Sequence, residues 1–389
     1  MTYLSASGVA ALGGGLIAIT YGLARFVFGL FLPVMREDMA FSPTVAGLIG
    51  ALPFLSFTVA ILLAPRYTRL LGIRYAAVGT SALALLGLLT IAHAPSPIYL
   101  ALGVLVCGIS TGLSTPVMPD VVHRCVKPQV RGRVNATINS GTSLGIAFAM
   151  PAVLLLAGQW RLAYLSFALV AAAGVVAALV YLPGGSIKRS ASRTASSSAY
   201  RVHRPWRKMA RLCGLAAAMG LVSSIVWVFA PDAAIQRGGL QSSQTAWMWF
   251  SVGVAGLLGS SAGDLIDRFG SAFTHALGLA VMSVAVGLLA MAPGDFGVAM
   301  LAAAAFGASY MMLSSFYLIQ GTRILPNEPA YGPVLPFLAV SCGQILGSTL
   351  AGMVIGTSGY QAAFSLYALL GIVVTILSVP LARMIRPVY

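Results

Sequence analysis

ITYGLARFVFGLFLP, residues 19–33, places one arginine in an otherwise apolar run. No acidic residue lies within ten positions of Arg25 on either side. An arginine at the centre of a membrane helix costs roughly 2.5–3.5 kcal/mol on insertion scales. Whether that cost applies depends on the solvent around the chain. The 389 residues are 59% hydrophobic and 8% charged, with a mean hydropathy of +0.92. Soluble proteins carry about 25% charged residues, so this chain cannot cover a globular surface with polar groups. Its apolar runs recur at close to the ~20 residues that cross a bilayer. The alternating segments of about ten residues that build a membrane barrel are absent. The sequence reads as an all-α polytopic membrane protein.

Candidate spans fall at 8–33, 43–64, 75–93, 97–118, 134–157, 161–182, 211–230, 243–262, 271–291, 296–318, 332–355 and 361–382, twelve in all. Ser42-Pro43 and Ser96-Pro97 read as an N-cap followed by proline at the first helical position. Pro33, Pro65 and Pro183 read as span ends. The first apolar run lacks a basic leader and is too long for a signal peptide, so it reads as an uncleaved span. With both termini cytoplasmic, 19 of the 23 basic residues face the cytoplasm. The positive-inside rule therefore selects that orientation. The net charge of +15 then reflects topology and contact with anionic lipid, not nucleic acid. The basic, serine-rich stretch 184–210 reads as a cytoplasmic linker on anionic lipid, joining six-helix bundles at 1–183 and 211–389. Cys107, Cys125, Cys213 and Cys342 are scattered without a CxxC and read as core residues. Low lysine and high alanine and glycine point to a bacterial plasma or inner membrane.

An internal repeat appears near an offset of 200. QWRLAY (159–164) answers YQAAF (360–364), and RGRV (131–134) answers AYGPV (330–334). Arg124 answers Arg323, while Gly141 and Gly145 answer Gly343 and Gly347. Parallel two-half repeats build one large transporter class, with substrate bound near midplane between the halves. GDLIDRFG, 263–270, then carries a specific likeness: glycine, a short spacer, Asp-Arg, and glycine before the next helix. In this the chain resembles the major facilitator superfamily. The matching first-half loop, PRYTRLLGIR (65–74), keeps Gly72 but has Pro65 for the first glycine and Arg69 for the aspartate. Val104 stands where proton-coupled members of the family carry an arginine. The resemblance implies two pseudo-symmetric six-helix bundles, a cavity lined by spans 1, 4, 7 and 10, and a cytoplasmic gate. The gate residues would be Asp267, Arg268 and Arg323, with Asp120 and Arg124 pairing in the first half.

The cavity candidates are Tyr21, Arg25, Ser114, Trp227, Tyr310 and Gln344, with Asn139, Trp247, Ser223, Ser224 and Ser309 nearby in the pattern. Tyr21 and Arg25 are four apart and share a helical face. Three readings of Arg25 stand: a clamp for a carboxylate or phosphate, a structural donor to carbonyls or Gln/Asn side chains, or a side chain snorkelling to the surface. Small hydroxyl residues in membrane helices mostly serve packing. No acid inside the membrane offers Arg25 a partner, because Glu37, Asp38, Asp232 and Asp295 read as external and Asp120, Asp264, Asp267 and Glu328 as cytoplasmic. None of His93, His123, His203 and His275 reads as a proton relay.

The functional expectation is a secondary transporter for a small organic solute, favouring an anionic metabolite. The expected form is a monomer with no cofactor, no metal and no nucleic-acid partner. Efflux of drugs or amphiphiles is the alternative, and a non-transporting sensor of the same fold a more distant one. A membrane enzyme would need a convergent His/Asp/Glu or Ser/His/Asp set at one face, and the four histidines are far apart. A nucleotide loop of the GxxxxGKS kind is absent, which argues against ATP-driven transport.

Overall fold

The computed structural model describes residues 5–156, 158–183, 205–326 and 332–383. Among them every regular element is helical. The elements are α1 (Ala6–Ile17), a π-helix (Ala18–Phe26), α2 (Phe28–Met39), α3 (Pro43–Ala92), α4 (Pro97–Ser114), α5 (Val117–Cys125) and α6 (Arg131–Leu155). They continue with α7 (Trp160–Tyr181), α8 (Pro205–Gln236), α9 (Ser242–Gly256), α10 (Ala262–Met291), α11 (Phe296–Ile324) and α12 (Val334–Arg383). The described residues form nine helical stretches long and apolar enough to cross a membrane. Their outer faces carry leucines and isoleucines that are more than half exposed, such as Leu62, Leu169, Leu301 and Ile376. The buried core runs from Ile19 to Ala382 as one cluster, with a smaller one around Val9, Val117, Val121 and Ile138. Most of the linker read at 184–210 lies outside the described residues, as do Ala330 and Tyr331 of the AYGPV match, Glu328, and the C-terminal Arg386.

Helix starts follow local chemistry. The Ser42 hydroxyl accepts from the Val45 amide at 3.3 Å, with Pro43 in the first turn. Pro97 opens α4 behind Ser96, whose side chain makes no cap bond. Helix ends depart from the expectation. Pro33 lies inside α2 and Pro65 inside α3, while α8 runs through Pro231 to Gln236. Neighbouring helices in a membrane bundle can satisfy the groups a proline frees, so proline is a weak stop signal here.

The loops expected at 65–74 and 263–270 are helical until a glycine reverses the chain. A fifty-residue helix would be about 75 Å long, more than twice the ~30 Å hydrocarbon core. Instead, α3 contains Gly72 at φ 73°, ψ 168°, α10 contains Gly270 at 82°, 163°, and α12 contains Gly359 at 82°, 172°. The Tyr67 hydroxyl donates to the Ala76 carbonyl at 3.1 Å, groups about 13 Å apart in a straight helix. Tyr367 donates to the Gly347 carbonyl across the Gly359 turn. Gly259 and Gly278 both lean on adjacent residues of α11, Met311 and Met312. Each long helix is thus folded back on itself.

The six described residues with positive φ pair at near-constant spacing: Ala40 with Gly239, Gly72 with Gly270, and Gly158 with Gly359, at 199, 198 and 201 residues. The glycine pairs picked out by the repeat are used alike. Gly141 and Gly145 leave room for the backbone at Gly14 and Ala18, and Gly343 and Gly347 do so for Ala217 and Leu221. A β-carbon at any of them would strike a main-chain atom of the neighbouring helix.

The turn glycines sit in a backbone region essentially closed to other residues, at about 1–3 kcal/mol per violation. Gly270→Ala should lower stability by that amount. Gly214→Ala, at a helical position with open space around it, should leave stability unchanged or raise it slightly. Thermal unfolding of the two variants in detergent checks the contrast.

Candidate functional site

The π-helix is the local feature that presents Arg25. Such segments are rare and appear where a helix is opened by an inserted group. Here the Thr111 hydroxyl of α4 donates to the Thr20 carbonyl at 2.7 Å, and Gly22 meets the Gly145 backbone of α6. The widened turn leaves Arg25 6% exposed, which rules out snorkelling. Its guanidinium lies over the Phe57 ring at 4.1 Å, with Phe54 and Phe26 at 5.0 and 5.1 Å. Each such contact is worth about 0.5–2 kcal/mol.

The polar contacts of Arg25 are sparse. Its Nη2 reaches Ser341 Oγ and Gln344 Oε1, both on α12 and both at 3.4 Å, longer than the usual 2.7–3.2 Å range, roughly. Its Nε has no hydrogen-bond partner among the described residues. None of the ion pairs among the described residues involves it. A guanidinium has five N–H donors, so this one is under-used. Gln344 Nε2 donates onward to Tyr310 Oη at 3.2 Å. Tyr310 packs edge-on against Trp227 at 4.9 Å, and Trp227 also meets Phe26 at 4.3 Å, Phe306 at 5.1 Å and Trp249 at 5.8 Å. The indole nitrogen of Trp249 is buried without a hydrogen-bond partner among the described residues. The result is an under-used cation and an unpartnered indole set in an aromatic wall, a composition suited to an acceptor-bearing, partly apolar ligand.

Five of the six predicted cavity residues come together. Arg25, Gln344, Tyr310 and Trp227 form one chain of contacts, and Tyr21 joins through the Phe57 edge at 6.4 Å. Tyr21 also bonds Thr115 at 2.7 Å. Ser114 stands apart: its hydroxyl donates to the Thr111 carbonyl at 2.8 Å and lies 3.4 Å from Thr20, within the α4 contact. Ser223, Ser224 and Ser309 likewise donate to carbonyls of their own helices. Trp247 and Asn139 are exposed. Sequence reading passed over Ser341 and the phenylalanines under the guanidinium, because apolar residues in an apolar run carry no local signal.

At one end of the bundle Asp267 and Arg323 pair at 3.1 Å, both solvent-accessible, with Arg268 exposed beside them. Asp120 and Arg124 lie exposed on α5. At the other end stands a cluster the sequence reading missed. Arg36 Nη1 pairs with Asp232 Oδ2 and reaches Tyr360 Oη at 2.6 Å, and Tyr360 Oη donates to the same carboxylate oxygen at 2.5 Å. Asp232 was read as an external residue beyond its span, yet α8 continues past it and its side chain is fully buried. The available signal was an acid four residues before the helix end, flanked by proline and alanines. Around this cluster the early and late helices meet backbone to backbone. Gly29 abuts the Trp227 carbonyl, and a β-carbon at Gly47 would lie 2.5 Å from the Ser348 carbonyl oxygen.

Comparison with known proteins follows from this geometry. The sequence profile of the Major Facilitator Superfamily matches residues 14–330. The chain belongs to the major facilitator superfamily. Its fold superposes on a nucleoside transporter, NupG, with a TM-score of 0.79 at 13% identity, covering 96% of this chain and 99% of the other. A D-xylose–proton symporter gives 0.76 at 15% identity over 95% of each chain. A bacterial homologue of the human lysosomal transporter Spinster gives 0.74 at 17% identity over 98% and 96%. A chloramphenicol efflux pump of Mycobacterium tuberculosis (strain H37Rv) is 31% identical over 172 residues, 43% of this chain. The chain spans about two-fifths of the length of that curated relative (40%). With nine apolar helical stretches among its described residues, it is a multi-pass membrane protein of this superfamily.

Gln344 is the polar hinge of the site, since it serves both Arg25 and Tyr310. Gln344→Ala should destabilise the protein by about 1–3 kcal/mol, the penalty for orphaned buried polar groups, read as a lower thermal unfolding midpoint.

Proposed function

We propose that the protein is a secondary transporter that carries a small organic anion across the plasma membrane by alternating access, with Arg25 as the anion clamp. The observation that carries this reading is the buried Arg25, which bridges early and late helices through long bonds to Ser341 and Gln344 and pairs with no carboxylate among the described residues. A carboxylate or phosphate on a ligand would supply the missing anion and can bind the guanidinium in two-toothed fashion. Tyr21, Trp227 and Tyr310 would hold the ligand's apolar body. Ser114 would contribute through the packing of α4 on the π-helix.

In the same reading the chain crosses the membrane twelve times, as bundles 1–183 and 211–389 joined by a linker at 184–210 on anionic lipid. The three folded-back helices and the paired left-handed residues support that count and that repeat. Both termini and the Asp267–Arg323 end face the cytoplasm, by the basic-residue asymmetry. Asp267, Arg268, Arg323, Asp120 and Arg124 form the cytoplasmic gate. The protein acts as a monomer without a cofactor. Efflux of drugs or amphiphiles is the second reading, favoured by the likeness to the chloramphenicol efflux pump and by the extent of the aromatic wall.

A thermal-shift screen of purified protein against organic anions, cations and neutral amphiphiles separates the two. A ligand present at 100 times its dissociation constant adds roughly 2.7 kcal/mol to the folded state. Organic anions should stabilise the wild type and leave Arg25→Gln unmoved. Gln344→Glu, which sets a carboxylate beside Arg25, should also lose the anion response. If neutral amphiphiles or cations register equally in wild type and Arg25→Gln, the arginine is structural and the efflux reading stands instead.

A further inference from the structure

We propose that Asp232 is a proton-binding site, and that a proton there releases the contact between early and late helices at the Arg36 end. This goes beyond the solute reading above and rests on neither Arg25 nor any substrate. Three ion pairs occur among the described residues, and Arg36–Asp232 is the one that joins the helices before residue 183 to those after 205. The Asp232 side chain is fully buried, whereas that of Arg36 keeps 18% exposure.

The two carboxylate oxygens differ. Oδ2 takes both Arg36 Nη1 and the Tyr360 hydroxyl. Oδ1 is buried with no hydrogen-bond partner among the described residues. A buried carboxylate survives as an anion only beside a compensating cation and donors. Oδ1 is therefore the vacant position for a proton, and Arg36 and the proton are alternative neutralisers of one charge. When an O–H bond forms at Oδ1 the acid becomes neutral, and the positive charge remains on Arg36. That side chain is already partly exposed, its Nε donating to the Phe41 carbonyl at 3.3 Å, and can turn outward. What then holds this end is uncharged: Gly29 against the Trp227 carbonyl, Gly47 against Ser348 and Gly352, and Thr44 Oγ1 at 3.5 Å from the Gly352 carbonyl.

The surroundings leave few rivals for the titration. On α2, Glu37 is exposed and Asp38 pairs with Arg161 at 2.5 Å. On α12 the facing group is Tyr360. At the end of α8, Arg237 donates to the Ala290 carbonyl of α10. On α11, Asp295 caps its own first turn through the Val298 amide at 2.9 Å. The near turns of α3, and all of α9, carry no charged residue.

The test is hydrogen–deuterium exchange of the purified full-length chain from roughly pH 8 to roughly pH 5, spanning the range where a perturbed carboxyl titrates. Rates are corrected for intrinsic pH dependence, and peptides covering 28–47, 225–240 and 350–362 are followed. In the wild type, exchange in these peptides should rise through a single transition on acidification. In Asp232→Asn it should be high throughout, with no transition. A pH-invariant wild type, or a transition that survives in Asp232→Asn, overturns the proposal. Should the asparagine variant not fold, Tyr360→Phe decides. It removes a hydrogen bond to the ionised form, so the proton binds more readily and the transition moves to higher pH. An unmoved transition in Tyr360→Phe overturns the proposal as well.

Discussion

A bilayer offers no hydrogen bonds and no counter-ions, and the rest of this structure depends on that constraint. Every backbone group must be answered within the helices, so the described residues form helices alone. Where two helices must lie close, the chain supplies glycine, because without a hydrophobic drive between apolar surfaces it is backbone proximity that holds helices together. Gly141 and Gly145 on α6, and Gly343 and Gly347 on α12, admit the main chain of a neighbouring helix where any β-carbon would collide.

The same constraint governs the charges. Among the described residues, Asp232 and Arg25 are buried charged side chains that break the apolar rule in opposite ways. Asp232 is answered in full at one oxygen, by a cation and a phenol from two other helices. Arg25 is answered by aromatic faces and by two long bonds. The first arrangement closes one end of the bundle. The second leaves donor capacity at its centre. Both sites draw on early and late helices together, so relative movement of the two groups must remake them. A tied end and an unsatisfied centre are what the proposed alternating access would require.

Much of the fold was legible because membrane helices announce themselves by composition. The serine–proline pairs marked two helix starts, and the spacing near 200 anticipated the pairing of left-handed residues at 40 and 239, 72 and 270, and 158 and 359. Two of the three prolines read as span ends misled, since Pro33 and Pro65 lie inside helices, while Pro183 does follow the end of α7. The polar stretches at 65–74 and 263–270 read as loops. They are helix up to one reversing glycine, because polar residues at a bundle's rim are as content in a helix as in a turn.

The sequence by itself determined the solvent, the helical class, the repeat and the oddity of Arg25, since each follows from residue type and spacing along the chain. The tertiary structure decided who answers each charge. Asp232 lies 196 positions from Arg36 and 128 from Tyr360, and Gln344 lies 319 from Arg25. No local pattern encodes such distances. They arise when glycine-lined helices pack and bring remote side chains into a space where water cannot stand in for a partner.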